Sequence, residues 1–406
     1  MKYKKTLMLI FIFVANCLLN SCCPEQAVSQ PTEPPYEILW RAPIVNDPYT
    51  EFSLSSNPAF YGSTVAITTE YTIQGVEEPL MFFDTASGEL TDMWTDYIQG
   101  TAGHQHESSS FQDEYLVLST QRSMDCINLA TKSRQWASRI PGNYAFHYIH
   151  GSYVYTSKLT GNHQDEILRT PIDEENWQTV FSFTSQNQYR PFFGSFGFGQ
   201  NLNGDEIMVW KNRSSVGNKS QTDIFAYNLS QDTLMWVNTD FDVFAGVNRL
   251  KVDNNRVFGL VQEKAFCLDL SNGETIWTND FQGVVADPRL AIFDQGIFHL
   301  SSDHVILKGD GNELVMLQRG NGQLFKVNDK LPHSFQRSSY FEGKLFFSCG
   351  ELVILDELTG EILNDPDITE RLFGRIESKI VIDPDRRVMY FHNGYELLCV
   401  KIPEDL

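Results

Sequence analysis

The stretch Phe266-Cys267-Leu268-Asp269-Leu270-Ser271-Asn272-Gly273-Glu274-Thr275-Ile276-Trp277 reads as a strand, a tight turn and a second strand. The Asp269 carboxylate can cap the turn amides, and Gly273 supplies the positive φ that a hairpin loop of this length needs. Trp277 ends the unit as a large apolar anchor. Degraded copies recur along the chain at steps of 38 to 59 residues, a period that points to a propeller or solenoid.

Counting an acid position and the residue eight further on gives Asn128 and Trp136, Arg169 and Trp177, Asn228 and Trp236, Asp269 and Trp277. Gln318 with Lys326 and Asp356 with Asn364 are weaker copies that keep the turn glycine as Gly322 and Gly360; Asp84 with Gly88 reaches Trp94 with two extra residues. The eighth unit is divided between the chain ends. Tyr395 to Lys401 is a strand with no following arm, and Tyr36 to Trp40 is an arm with no preceding strand. Before the acid positions stand Phe82-Phe83, Cys126-Ile127, Ile167-Leu168, Ala226-Tyr227, Cys267-Leu268, Met316-Leu317, Ile354-Leu355 and Cys399-Val400, all apolar in a chain that is 42% hydrophobic. Adjacent residues on a strand face opposite ways, so these strands are buried on both faces. Blades stacked around an axis require that, whereas a sandwich with a solvated outer face does not. The expected fold is all-β, an eight-bladed antiparallel β-propeller over residues 36–406 closed by N- and C-terminal strands. Six of the seven Trp residues stand at the end of a motif copy, suited to wedging between blades; Trp210 is the exception.

The pattern apolar-apolar-Asp-x-x-x-Gly-x-x-x-Trp resembles the repeat of the pyrroloquinoline-quinone-type propellers, over about residues 36 to 406. That family includes quinoprotein dehydrogenases and cofactor-free relatives such as the scaffold lipoprotein of the outer-membrane β-barrel assembly machinery. The resemblance therefore implies a fold and leaves the activity open. Its enzymes carry a vicinal disulfide over the cofactor and a carboxylate-bound calcium, but the only adjacent cysteines here are Cys22 and Cys23, outside the repeats. No cofactor is expected.

Residues 1–21 read as an export signal: Lys2, Lys4 and Lys5 precede the largely apolar run Leu7 to Leu19. Leu19-Asn20-Ser21-Cys22 resembles the lipobox of bacterial lipoproteins, with Cys22 as the lipid-bearing residue; an ordinary secretory signal is the alternative. Several acyl chains on one cysteine would anchor the chain stably. Residues 22–35 hold Pro24, Pro31, Pro34 and Pro35, a tether reaching on the order of 40 Å at ~3.1 Å per residue. Loss of the three signal lysines takes the formal charge from -21 to -24, a body that repels phosphate backbones, so no nucleic-acid partner is expected. Cys126, Cys267 and Cys399 share one repeat position in different blades, and packing explains them better than disulfides do. The chain is read as a monomer.

No phosphate-binding loop, nucleophile elbow or two-cysteine metal spacing occurs. His104 and His106 with Glu107, and His147 with His150, are weak metal hints, better read as polar residues at strand starts. Asn201, Asn203 and Asp205 fit either calcium or a turn. The longest step holds the aromatic and glycine run Tyr189 to Gly199 and a long hairpin tip at Lys211 to Thr222; Thr68 to Glu78 is a further insertion.

One offset carries a pattern. At 11 to 13 residues past the motif ends stand Arg190, Arg249, Arg289, Arg337 and Arg375, with His106 and His147 in two further units. If each follows the crossover into the next innermost strand, they ring one mouth of the axial channel as a cationic collar; the alternative is that each arginine pairs with a local carboxylate such as Asp242, Asp287 or Glu377. The expected function is a non-catalytic scaffold or binding protein, lipid-anchored to the outer membrane of the cell envelope on its periplasmic or surface face, which engages an envelope protein or anionic ligand through propeller-face loops and the funnel. The alternatives are a quinoprotein-like or glycan-acting enzyme and a surface glycan-binding module using the aromatics from Tyr189 to Phe198.

Overall fold

A computed structural model of the chain describes residues 36–45, 56–69, 79–95, 109–119, 123–139, 147–158, 164–184, 196–216, 219–241, 250–261, 264–281, 298–308, 313–328, 337–348, 350–404 and 406. The signal, Cys22 and the tether lie outside these residues.

Strands follow one another in antiparallel sets of four, each lying outside the one before it. Blade 1 is Ala59–Tyr61, Thr64–Thr68, Leu80–Asp84 and Leu90–Trp94; blade 2 is Ser109–Gln112, Tyr115–Ser119, Met124–Asn128 and Ser133–Ser138. His147–His150, Tyr153–Lys158, Gln164–Pro171 and Gln178–Thr184 make blade 3; Gly197–Gln200, Glu206–Val216, Lys219–Asn228 and Thr233–Phe241 make blade 4. Blade 5 is Lys251–Asp253, Arg256–Val261, Lys264–Asp269 and Thr275–Asn279, and blade 6 is Phe298–Leu300, His304–Lys308, Leu314–Gln318 and Leu324–Asn328. Blade 7 has three strands, Arg337–Phe341, Lys344–Ser348 and Leu352–Asp356. Blade 8 joins Val381–Asp383, Val388–His392 and Glu396–Lys401 to Ile38–Pro43, which pairs from Ile38 opposite Val400 to Pro43 opposite Glu396. The chain ends close the ring as the sequence predicts, and the fold is an eight-bladed antiparallel β-propeller.

Eight separate apolar clusters occupy the eight seams between blades. The paired apolar residues explain why. Cys267 faces the seam toward blade 6 and Leu268 the seam toward blade 4; Phe82 and Phe83 likewise divide between blades 2 and 8. All sixteen residues are buried, each large side chain contributing roughly 1.5–3 kcal/mol. Cys126, Cys267 and Cys399 are free thiols, and burial pushes each up to about 12.

The motif works across seams. Asp84 accepts from the Ser87 and Ala86 amides (2.8 and 3.0 Å), which lowers its carboxyl below the ordinary range, the Ser87 bond first. Asp356 caps Thr359 and Leu358 in the same way, and Asn128 and Asn228 use their amide oxygens on Thr131 and Gln231. The Trp indole that ends one copy donates to a carbonyl in the next blade: Trp40 to Thr85, Trp136 to Ile172, Trp236 to Leu270 and Trp277 to Arg319, at 2.7–3.1 Å. In three of the four the ring lies on the next turn glycine. A Cβ on Gly88, Gly273 or Gly322 would come within 2.5–2.6 Å of Trp40, Trp236 or Trp277, and all three glycines have positive φ.

Three copies depart from the sequence reading. In blade 1, Asp92 rather than Trp94 is paired opposite Phe82, so the two extra residues carry Trp94 out of the motif place. In blade 3 the strand runs past Arg169 to Pro171, so the turn falls two residues later than the Arg169 and Trp177 pairing predicts. Pro171 has no amide to close that turn, and Thr170 Oγ1 takes over, accepting from the Asn176 amide and donating to Glu174 O. In blade 7 the Asp356 turn forms with Gly360 at φ 66, but no fourth strand follows. The Asn364 amide mimics a strand, donating to Leu352 O and accepting from Ile354 N, both at 2.7 Å. Asp365 then caps helix α1 (Pro366–Phe373). No described helix is long and apolar enough to cross a membrane.

Candidate functional site

Antiparallel alternation sets the two faces of the ring. First–second and third–fourth turns fall on one face; crossovers between blades and second–third loops fall on the other. The turn face is short-looped, with two-residue links at 62–63, 113–114, 151–152, 254–255 and 342–343. Its side chains bridge seams. Arg387 grips both Glu342 oxygens at 2.6 and 2.7 Å, Arg386 donates to Thr85 O, and Arg319 reaches Asp253 and Ser301 O. His150 stacks on Phe198 of the next blade (4.4 Å) and meets Glu206 at 2.7 Å. Burial alone would raise the Glu206 carboxyl, but the bonds from His150 and Gln200 bring it below its ordinary value. His299 stacks on Tyr340 and pairs with Glu357 at 3.3 Å; burial lowers its pKa against the raising effect of Glu357.

The crossover face receives the long links 95–108, 185–196 and 280–297 between strands. His106, Arg190, Arg249 and Arg289 lie in crossovers by position and outside the described residues. Arg337 opens the first strand of blade 7, opposite Ser348, and only its backbone is described. Arg375 lies between α1 and blade 8; its side chain is 63% exposed and pairs with Glu377 at 2.9 Å, the local pairing weighed against a collar. Burial raises the Glu377 carboxyl and Arg375 opposes it. His147 begins the first strand of blade 3, is 2% exposed, and its Nδ1 lies 2.8 Å from Ser119 Oγ in blade 2.

No group of three His, Cys, Asp or Glu among the described residues could hold a metal ion. Asn201 to Asp205 is a turn: Asn201 Oδ1 accepts from the Asn203 and Asp205 amides, and Asp205 accepts from Asn201, Asn228 and Gln231. Phe196 is buried in the blade 3/4 seam. Sequence reasoning missed the cation in that seam, Arg169; the signal available was a basic residue at a position that is acidic or amidic in six of the other seven copies.

No family model and no curated protein matches the chain. Among solved structures, BamB from Moraxella catarrhalis superposes with a TM-score of 0.56 at 12% identity, over 90% of this chain and 100% of that one. The quinohemoprotein alcohol dehydrogenase of Comamonas testosteroni gives 0.61 at 9%, over 90% and 76%. Sqt1 of Saccharomyces cerevisiae gives 0.61 at 11%, over 88% and 97%. BamB, an alcohol dehydrogenase and a yeast protein thus share one scaffold with this chain, and the likeness carries the fold alone.

Proposed function

We propose that this protein is a non-catalytic scaffold or binding protein, lipid-anchored through Cys22 to the outer membrane of the cell envelope, which engages a protein partner or anionic ligand with its crossover face. The observation that carries the reading is the contrast between faces: turns as short as two residues clasped from blade to blade on one, and crossovers as long as residues 280–297 on the other. Long loops on a rigid ring are where binding is usually carried. Arg190, Arg249, Arg289, Arg337, Arg375, His106 and His147 all fall at crossovers or first-strand starts, in line with a basic funnel in an acidic body. The fold shared with BamB supports a scaffold; the quinohemoprotein neighbour keeps an enzyme as the rival. The absence of an adjacent cysteine pair from the repeats counts against a quinone cofactor of that family's kind.

The test is affinity capture from detergent-solubilised envelope at low and high salt, with Arg249→Glu/Arg337→Glu beside the parent. Reproducible capture of one membrane partner, weakened by salt and abolished by the double substitution in a folded ring, is expected. Quinone-dependent dye reduction by the pure protein would sink the reading.

A further inference from the structure

At one repeat position the seam between blades 3 and 4 contains a charge where its counterparts contain none. Counted by its pairing with the second strand, Arg169 stands opposite Tyr155 as Cys267 stands opposite Phe258, Cys126 opposite Val117 and Met316 opposite Ile306. In the other four blades the place is held by Phe82, Ala226, Ile354 and Cys399. Arg169 is the one charged residue of the eight.

Its surroundings restrain it without neutralising it. The guanidinium lies over the Tyr153 ring, 4.8 Å from the centroid. The Tyr155 hydroxyl sits beside it, pushed up by burial and drawn down by the hydrogen bond with Arg169. Across the seam the Tyr227 hydroxyl donates to Asp232 at 2.7 Å, and burial followed by that bond pushes it up to about 12. The nearby carboxylates are otherwise engaged, Asp232 by Tyr227 and Glu206 by His150 and Gln200. Arg169 forms no ion pair among the described residues, and its Nε, buried, has no acceptor. The Tyr153 ring beneath the guanidinium and a hydroxyl at part of its edge restrain it, so the Nε side is a fork of the kind that binds a carboxylate with two parallel bonds.

The same seam also lacks an indole. Trp177, which the repeat would send onto blade 4, donates instead to Ser138 Oγ of blade 2 at 2.9 Å and stands edge-on to Trp136. The paired place opposite Arg169 is taken by Gln178, which is exposed. On the blade 4 side the turn carries Asp232 at φ 55, where locked seams carry glycine beneath a Trp ring.

We infer that the blade 3/4 seam is a ligand site for a small planar carboxylic acid, its carboxylate on the Arg169 fork and its flat apolar body in the seat that an indole fills in four other seams, through Trp40, Trp136, Trp236 and Trp277. The two requirements are independent, one for charge and one for shape, and each has its own control. Titration calorimetry of the full chain with indole-3-acetate is compared with the uncharged indole-3-acetamide. Binding of the acid, with the amide about tenfold weaker or worse, is expected. Arg169→Met, which installs the residue of blade 6, should lose at least about tenfold in affinity for the acid while melting no lower than the parent, since a partly buried cation with no ion pair among the described residues has been removed. A second variant, Gln178→Trp with Asp232→Gly, rebuilds the lock and should exclude the acid while keeping Arg169. The inference is overturned if the parent takes up no acid at millimolar concentration, if acid and amide bind alike, or if either variant binds as the parent does.

Discussion

Between blades 5 and 6, the Trp277 ring lies on Gly322 and its N–H reaches Arg319 O; between blades 3 and 4, no motif indole crosses at all. Farther along the strands of the second seam, away from the turn, stands a different aromatic group. Trp210, the tryptophan outside the repeat, stacks on Phe225 at 5.1 Å and packs against Phe181 and Phe183. Turn chemistry changes with it. Gly88, Gly273 and Gly322 lie under a Trp, while Lys132 and Asp232 hold positive φ where Trp94 and Trp177 have left the motif place. Glycine is thus kept for the ring that lies on it as well as for its φ, since Lys132 and Asp232 take a positive φ where that ring is absent. Blade 6 adds an intermediate case: Lys326 replaces Trp, its Nζ donates to Thr359 O at 2.7 Å, and Gly360 is retained because Met316 Sδ and the Lys326 stem crowd it.

Three measurements would break or sharpen this contrast. The largest effect is expected at the closing seam, which is of the locked kind. Deleting residues 36–43 removes the fourth strand of blade 8 together with Trp40, and the thermal midpoint should fall by well over ~10 °C; deleting the tether 22–35 should change it by less than ~2 °C. Equal shifts would show that the seam does not close the ring.

Next in size is Gly273→Ala. The new methyl meets the Trp236 ring at 2.6 Å on a backbone at φ 76, so a loss of about 2–4 kcal/mol is expected from urea midpoints. Lys132→Gly, at a turn with no indole upon it, should lie within ~1 kcal/mol of the parent. Equal losses at the two turns would refute the assignment of the glycines to the Trp rings.

The smallest effect is the pH dependence of the seam between blades 4 and 5. Lys211 is 1% exposed and donates to Leu260 O at 3.0 Å, and burial lowers its pKa from 10.5 to about 7. Between those values the unfolded chain binds more protons than the folded one, so stability rises with pH from about 7 toward 10, and the full cost of the buried charge is present below 7. Lys211→Met should therefore stabilise most at pH 6 and progressively less by pH 10, read as urea midpoints across that range. A gain independent of pH would assign the effect to packing alone.

The sequence made the ring, its closure and its doubly buried strands legible because each rests on a local rule repeated eight times. Asp269 and Gly273 announce a turn without help from the rest of the chain. Pro171 also announces itself, yet its effect was hidden, because losing one amide lengthened a hairpin by two residues and moved Arg169 into a core place that spacing alone had set at a turn. Asn364 hid a missing strand for the opposite reason: its side chain imitates the backbone pairing so well that the copy looked merely weak. Of the collar residues, the sequence gives position relative to the crossovers and nothing about direction, since a long side chain such as Arg375 can turn to a neighbour like Glu377 as readily as to the axis.

The strand Ile38–Pro43 has a mechanical consequence. Any pull transmitted through the N-terminal extension enters the ring at Tyr36, whose ring packs on Phe373, and loads the strand from its Ile38 end. The register irregularity between Ile38 and Trp40 lies at that point of entry, so the first bonds to yield under tension are those of Glu37 and Ile38 ahead of it. Peeling then stops at Trp40, which is bracketed to Thr85 in blade 1. The first two or three residues act as a fuse that lengthens and dissipates a tug, while the load that remains passes into two blades at once.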